Sequence, residues 1–306
     1  MREVKTLVLR AAGTNCDMET AHAFKLAGSR VERVHINALM KRKSALDEYH
    51  ILAIPGGFTY GDDIASGKIL ANELNHSLKA QLSRFIRSGK LIIGICNGFQ
   101  VLVKMGLLPN TNNRSIRTRA AVEATLGLNN SGKFEDRWVY LKRGQGAGGK
   151  GQKRHKGTEA QRDKGQGARD KGQEKSGKAH SARGHCVWTR DLPDVIYLPV
   201  AHGEGKFIPK NKAVLDSLDT NGQIVFRYAG SDGEKAAYPA NPNGSIDDIA
   251  GITDATGRIL GIMPHPERYV TYTQHPHWQR LTGKIPMAGV GLQIFKNGVH
   301  FIKNDL

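Results

Sequence analysis

Cysteine is scarce in this chain. Only Cys16, Cys96 and Cys186 occur in 306 residues, which excludes a disulfide framework and leaves each thiol to be judged by its reactivity. Long apolar runs are missing too. Stretches such as Leu91–Ile95 fall far short of the roughly 20 residues that carry a helix across a bilayer, so no membrane role is expected. The opening Met1-Arg-Glu-Val-Lys-Thr-Leu-Val-Leu-Arg10 lacks the apolar core of a secretory signal, and a cytoplasmic chain is expected. There is no Gly-x-x-x-x-Gly-Lys-Ser/Thr loop for phosphate, and no spacing of metal ligands rises above chance. His275 and His277 read as solvent-facing loop residues. No metal and no cofactor is expected.

Acidic residues are too few to balance the basic ones: 28 against 45, a net charge of +17. Such an excess often marks a polyanion binder, but here it is unevenly placed. Residues 142–185 hold thirteen lysines and arginines, four acidic residues and eleven glycines, with no aromatic, Leu, Ile, Val or Met. That composition cannot build a core and favours disorder. Its loose repeats, Arg143-Gly-Gln, Lys150-Gly-Gln, Lys164-Gly-Gln and Lys171-Gly-Gln, place glycine where a coiled coil would need helix formers and offer no apolar seam. The segment is expected to be a basic insertion within a single domain spanning 1–306. A polyanion such as nucleic acid is its candidate partner through counterion release, although it has no aromatic on which bases could stack.

What remains has ordinary apolar content and alternates strand and helix signals. Thr6–Leu9, Val31–Ile36, His50–Pro55 and Leu91–Ile95 read as strands. Asp17–Leu26, Ile69–Arg87 and Asn97–Met105 read as helices. Continuous apolar strands alternating with helices imply an α/β fold with a mostly parallel central sheet covered on both faces. Short β segments follow at Val122–Leu126, Trp138–Leu141, Cys186–Trp188, Ile196–Val200, Ile224–Tyr228 and Ile259–Met263, with a last helix near Leu292–Asn297. The insertion falls between two of them, as an overgrown hairpin connection.

Chemistry concentrates where strand signals end. Gly94-Ile-Cys96-Asn-Gly98 lies at a strand-to-helix turn, where a nucleophile sits on strained backbone and its neighbours must lack side chains. The following helix directs free N–H groups and its positive dipole end at the sulfur, which suits a thiolate nucleophile. Such a nucleophile needs a base and an orienting acceptor, and Pro264-His265-Pro-Glu267 supplies both. Each residue before a proline is pushed toward extended geometry, so His265 and Glu267 should project to one side. Pro55-Gly-Gly57-Phe58 follows another strand, and the N–H groups of Gly57 and Asn97 are the candidate oxyanion donors. Cys16 and Cys186 lack such glycines and read as structural.

These motifs, with His202-Gly-Glu-Gly-Lys-Phe207, Asn241-Pro-Asn-Gly-Ser245 and Arg268, resemble the class I (triad) glutamine amidotransferases. More narrowly they are similar to the glutaminase subunits and domains of phosphoribosylformylglycinamidine synthase, an enzyme of purine biosynthesis. The resemblance runs from Lys5 to about Arg268 without the insertion. It implies a flavodoxin-like amidotransferase fold and hydrolysis of glutamine through Cys96, His265 and Glu267. It implies a glutamine pocket shaped by Gln100, His202, Gly203, Glu204 and Phe207, with Asn241–Ser245 as a structural loop. It also implies a separate synthetase subunit that uses ATP and Mg, with a small accessory subunit as a further candidate partner. The segment Gly61-Asp-Asp-Ile-Ala-Ser-Gly67 differs from versions that carry an arginine there. Two readings compete: the same glutaminase serving another ammonia acceptor, and a polyanion-binding module acting through the insertion.

Overall fold

A computed structural model describes residues 3–62, 65–111, 122–144, 186–235, 237–281 and 287–306. The first half alternates as its pattern implies: β1 (Lys5–Arg10), α1 (Asp17–Leu26), β2 (Arg30–His35), α2 (Ile36–Lys41), β3 (Ile51–Ile54), α3 (Lys68–Ser77), α4 (Lys79–Arg87), β4 (Leu91–Ile95) and α5 (Asn97–Lys104). The second half adds β5 (Ala124–Leu128), β6 (Glu135–Arg143), β7 (Val195–His202), β8 (Glu204–Pro209), α6 (Lys212–Thr220), β9 (Ile224–Ala229), β10 (Ile249–Thr253), β11 (Ile259–Ile262) and α7 (Gly291–Asn304).

Among the described residues, nine strands form one sheet in the order β2-β1-β3-β4-β11-β10-β9-β6-β7, and β5 pairs with β8 separately. From β2 to β11 the strands run parallel. From β11 onward each neighbour is antiparallel. Every residue of β3, β4 and β11 is buried, because helices cover both faces of the parallel half. Helix α5 packs on β3, β4 and β11 and carries α3, while α1 packs against α7. There Phe24 meets Phe295 edge to face at 4.9 Å, a contact worth about 0.5–1.5 kcal/mol beyond its buried area.

Several local expectations change. The helix expected over Ile69–Arg87 breaks at Leu78 (φ −125°, ψ 11°), giving α3 and α4. Cys186–Trp188 is no strand; Val187–Thr189 forms a single 3-10 turn. The cause is the Trp188 indole, which is fully buried, donates to the Arg258 carbonyl at 3.1 Å and packs against Gly298 of α7. Asn297 reinforces this by donating to the Trp188 and Arg190 carbonyls at 2.9 and 2.7 Å. Lys142 and Arg143, assigned to the insertion, are the last residues of β6, and Gly144 still donates to the Val225 carbonyl at 2.8 Å. Because β6 and β7 are antiparallel neighbours, the insertion does connect a hairpin; its residues 145–185 lie outside the described residues. His275, expected to face solvent, is half-buried among Trp138, Tyr197 and Tyr269 at ring separations of 5.6–5.8 Å.

A Cβ on Gly298 would lie 2.5 Å from Trp188 Cζ3. Gly298→Ala therefore overpacks this contact, and urea unfolding should show a loss of about 1–3 kcal/mol.

Candidate active site

Cys96 stands between β4 and α5 with φ 51° and ψ −108°, a conformation that costs a non-glycine residue of order 1–3 kcal/mol. Its N–H donates to the Ile262 carbonyl at 2.8 Å, and its own carbonyl accepts from Phe99 and Gln100 at 3.0 and 3.2 Å. The glycines on either side are required by contact. A Cβ on Gly98 would lie 1.8 Å from the Ile54 carbonyl oxygen, and one on Gly94 would lie 2.5 Å from that of Gly98. The Cys96 sulfur is 3.7 Å from the carbonyl oxygen of Ala201, on β7.

His265 and Glu267 meet as expected, with Nδ1 of His265 2.6 Å from Oε1 of Glu267. The route differs. β11 ends at Ile262, and Pro266–Arg268 closes into a 3-10 turn, so the pair forms within a turn and not along an extended strand. Both side chains are buried, and His265 Nε2 and Glu267 Oε2 have no hydrogen-bond partner among the described residues. Burial opposes the charged imidazolium, but the Glu267 carboxylate and the sulfurs of Cys96 and Cys16 outweigh it, holding His265 well above the usual histidine range.

The loop after β3 is held by the segment before α1. Phe58 N–H donates to the Gly13 carbonyl at 2.9 Å, and Cys16 N–H donates to the Gly56 carbonyl at 3.2 Å. None of these bonds uses the N–H of Gly57, whose φ of 142° suits only glycine and whose position leaves no room for a Cβ. Asn97 begins α5, so its N–H belongs to the free first turn of a helix. A Cβ on Gly56 would lie 2.8 Å from His265 Cε1, 3.3 Å from Cys16 Sγ and 3.4 Å from Cys96 Cβ, so this loop lies directly against the cysteine and histidine.

The His202–Phe207 stretch joins the site through Gln100. The Gln100 amide accepts from Asn97 Nδ2 at 2.9 Å and donates to the Glu204 carbonyl. Asn129 Nδ2 donates to the Lys133 and His202 carbonyls, so its Oδ1 accepts from His202 Nδ1 at 3.1 Å and from Gly205 N–H at 3.2 Å. The proton of His202 is thereby fixed on Nδ1, leaving Nε2 a buried acceptor with no partner among the described residues. Burial, with His265 nearby, pushes His202 down to about 3, so it is neutral. Gly203 contributes its carbonyl, which accepts from Asn129 N–H at 3.0 Å. Phe207 departs from the expected pocket wall: its ring is fully buried and stacks on Phe99 at 6.2 Å. The Asn241–Ser245 loop is structural, with Asn243 donating to the Gly205 carbonyl and Ser245 Oγ accepting from Phe207 N–H, both at 2.9 Å.

Two residues escaped the sequence reading. Cys16, taken as structural, has its sulfur beside the His265 ring, where Arg268 Nη2 donates to it at 3.1 Å. One ligand atom each from Cys16, His265 and Glu267 lies within 4.8 Å of the others, and all three residues are buried. Arg268 and Cys16 are 252 positions apart, so no local spacing could reveal the contact. Cys186 does behave structurally: it is fully buried, which pushes its thiol up to about 12.

A cysteine on a strained turn, a histidine fixed by a carboxylate and a glycine loop beside both together equip the site for acyl transfer. His265 should titrate well above 6.5 in an NMR pH series, and Glu267→Gln should lower that midpoint. Because the folded-state value is raised, the stability that His265 contributes is fully present below about 6.5. That contribution is lost as pH rises through the folded-state value, and unfolding at graded pH should show the loss shrink in Glu267→Gln.

A model of the CobB/CobQ-like glutamine amidotransferase domain matches residues 3–149 and 176–302. The phosphoribosylformylglycinamidine synthase subunit PurQ of Dehalococcoides mccartyi is 43% identical over 304 residues, covering 99% of each chain. Its namesake from Methanococcus maripaludis is 39% identical over 309 residues, covering 97% of each. A solved structure described as PurLQS from Thermotoga maritima shares the fold, with a TM-score of 0.63 and 24% identity over 98% of this chain and 100% of that one. With the domain model matching most of its length and relatives of this identity matching nearly all of it, the chain belongs to the CobB/CobQ-like glutamine amidotransferases, in the PurQ subunit group of phosphoribosylformylglycinamidine synthases.

Proposed function

We propose that this chain is the glutaminase component of a phosphoribosylformylglycinamidine synthase, with glutamine as its substrate and a synthetase subunit as its partner. The supporting observation is the conjunction of Cys96 on its strained turn with the buried His265–Glu267 pair. The Cys96 sulfur attacks the side-chain amide carbon of glutamine, and the carbonyl electron pair moves onto oxygen. The N–H groups of Gly57 and Asn97 receive that developing charge. As the C–N bond breaks, the His265 imidazolium gives its proton to the departing nitrogen, releasing ammonia and leaving a glutamyl thioester. Water then attacks the thioester, giving a proton to His265 while the C–S bond breaks, and glutamate leaves. Glu267 fixes the ring and offsets its charge throughout.

Gln100 and His202 shape the glutamine pocket in this reading: Gln100 ties Asn97 to the Glu204 backbone, and His202 offers a neutral acceptor. Ammonia passes to the synthetase, which consumes ATP with Mg; this chain is proposed to need no cofactor of its own. A small accessory subunit is a further partner, and the complex works in the cytoplasm. The PurQ names of full-length relatives favour this ammonia acceptor over others.

Cys96→Ala, assayed with a synthetase partner, should lose glutamine-dependent product by at least about 10³-fold while keeping the ammonia-dependent reaction. Loss of both activities in a folded variant would overturn the assignment, as would unchanged use of glutamine.

A further inference from the structure

The two oxyanion donors lie on separate segments, Gly57 on the loop after β3 and Asn97 at the start of α5. Thr59, two residues beyond Gly57, is buried and donates its hydroxyl to Asn97 Oδ1. The link continues from there. Asn97 Nδ2 donates to Gln100 Oε1 at 2.9 Å, and Gln100 Nε2 donates to the Glu204 carbonyl at the start of β8. Thr59, Asn97 and Gln100 are each at most 4% exposed, so solvent does not replace a lost link.

The sense of this chain is forced from its far end. A backbone carbonyl only accepts, so Gln100 must turn Nε2 to Glu204 and Oε1 to Asn97. Asn97 must then present Nδ2 to Gln100 and keep Oδ1 for residue 59. Position 59 therefore requires a hydroxyl donor. Without one, Oδ1 is left buried and unpaired, and turning the Asn97 amide over would only set its oxygen against Gln100 Oε1.

We propose that Thr59 is a positioning residue of glutamine hydrolysis, holding the N–H groups of Gly57 and Asn97 at one spacing and tying both to the loop that shapes the glutamine pocket. This role rests on the glutaminase reading above. Thr59 touches no reacting atom and acts through Asn97. An oxyanion hole is effective only when its donors stand in place before charge develops, and a misplacement of about 1 Å costs on the order of 10²-fold in rate. The loss falls on the transition state, hence on kcat and not on KM.

The test uses the full chain with its synthetase, in variants whose circular dichroism matches the parent. Thr59→Val keeps the shape but has no proton to donate, and it should lower kcat for glutamine about 10- to 100-fold while KM stays within about twofold. Thr59→Ala should behave like the valine variant, and Thr59→Ser, which restores the donor, should recover most of the loss. The Cys96 sulfur adds to a γ-aldehyde analogue of glutamine and leaves an oxygen in the hole. That analogue should inhibit Thr59→Val about tenfold more weakly than the parent, with inhibition by glutamate unchanged. Equal kcat in parent and Thr59→Val would overturn the proposal, as would a change carried by KM alone or a serine variant as impaired as the valine one. A parent that releases no glutamate from glutamine would instead overturn the glutaminase reading, and this role with it.

Discussion

The whole site depends on one close approach, that of Gly98 to the backbone of β3. The Ile54 carbonyl oxygen occupies almost the place where a Cβ on Gly98 would stand, so α5 can lie on the sheet only because that side chain is missing. This contact brings the end of β3, with its Pro55–Phe58 loop, against the turn that carries Cys96. Any larger residue at 98 would lift the helix and part the nucleophile from the loop beside it. The parallel sheet supplies the rest of the alignment: β4 and β11 are neighbours in register from Ile92–Ile259 to Ile95–Ile262, so Cys96 and the His265 turn emerge side by side. In parallel α/β sheets, carboxyl strand ends are where sites form, and here three such ends meet.

The antiparallel half closes the site from the far side. β7 delivers Ala201 beside the sulfur and His202 behind it, and an asparagine network from Asn129 and Asn243 fixes both the strand end and the following residues. Both Asn129 amide protons are spent on carbonyls, which fixes the His202 tautomer, while burial keeps that ring neutral. The first turn of α1 is anchored in a similar way. Asp17 is buried and paired to Arg10 of β1 at 2.9 Å and to Arg33 of β2 at 3.1 Å, which fixes the helix start and therefore the backbone that carries Cys16.

Much of this was legible from the sequence, because the strongest constraints are local. Glycines around Cys96, prolines around His265 and unbroken apolar strands each act within a few residues. The bounds of α1 and β4 were readable for that reason. What was not legible depends on distant partners. Cys16 reads as an unremarkable buried thiol until Arg268 and His265 fold over it. Trp188 sits in a strand-like stretch but turns to fill the space left by Gly298. Phe207 lies in a pocket motif, yet its ring is claimed by Phe99. The continuous pattern over Ile69–Arg87 gave no sign that Leu78 would interrupt it.

The β6–β7 hairpin also sets the insertion apart from the chemistry. The insertion leaves β6 after Arg143 and rejoins before Val195, whereas His202 lies at the other end of β7. Seven residue steps at roughly 3.3 Å place about 23 Å of rigid strand between the two ends. The chemistry therefore sits at one end of a rigid hairpin, and the stretch that the family model skips, 150–175, belongs to the connection at its other end.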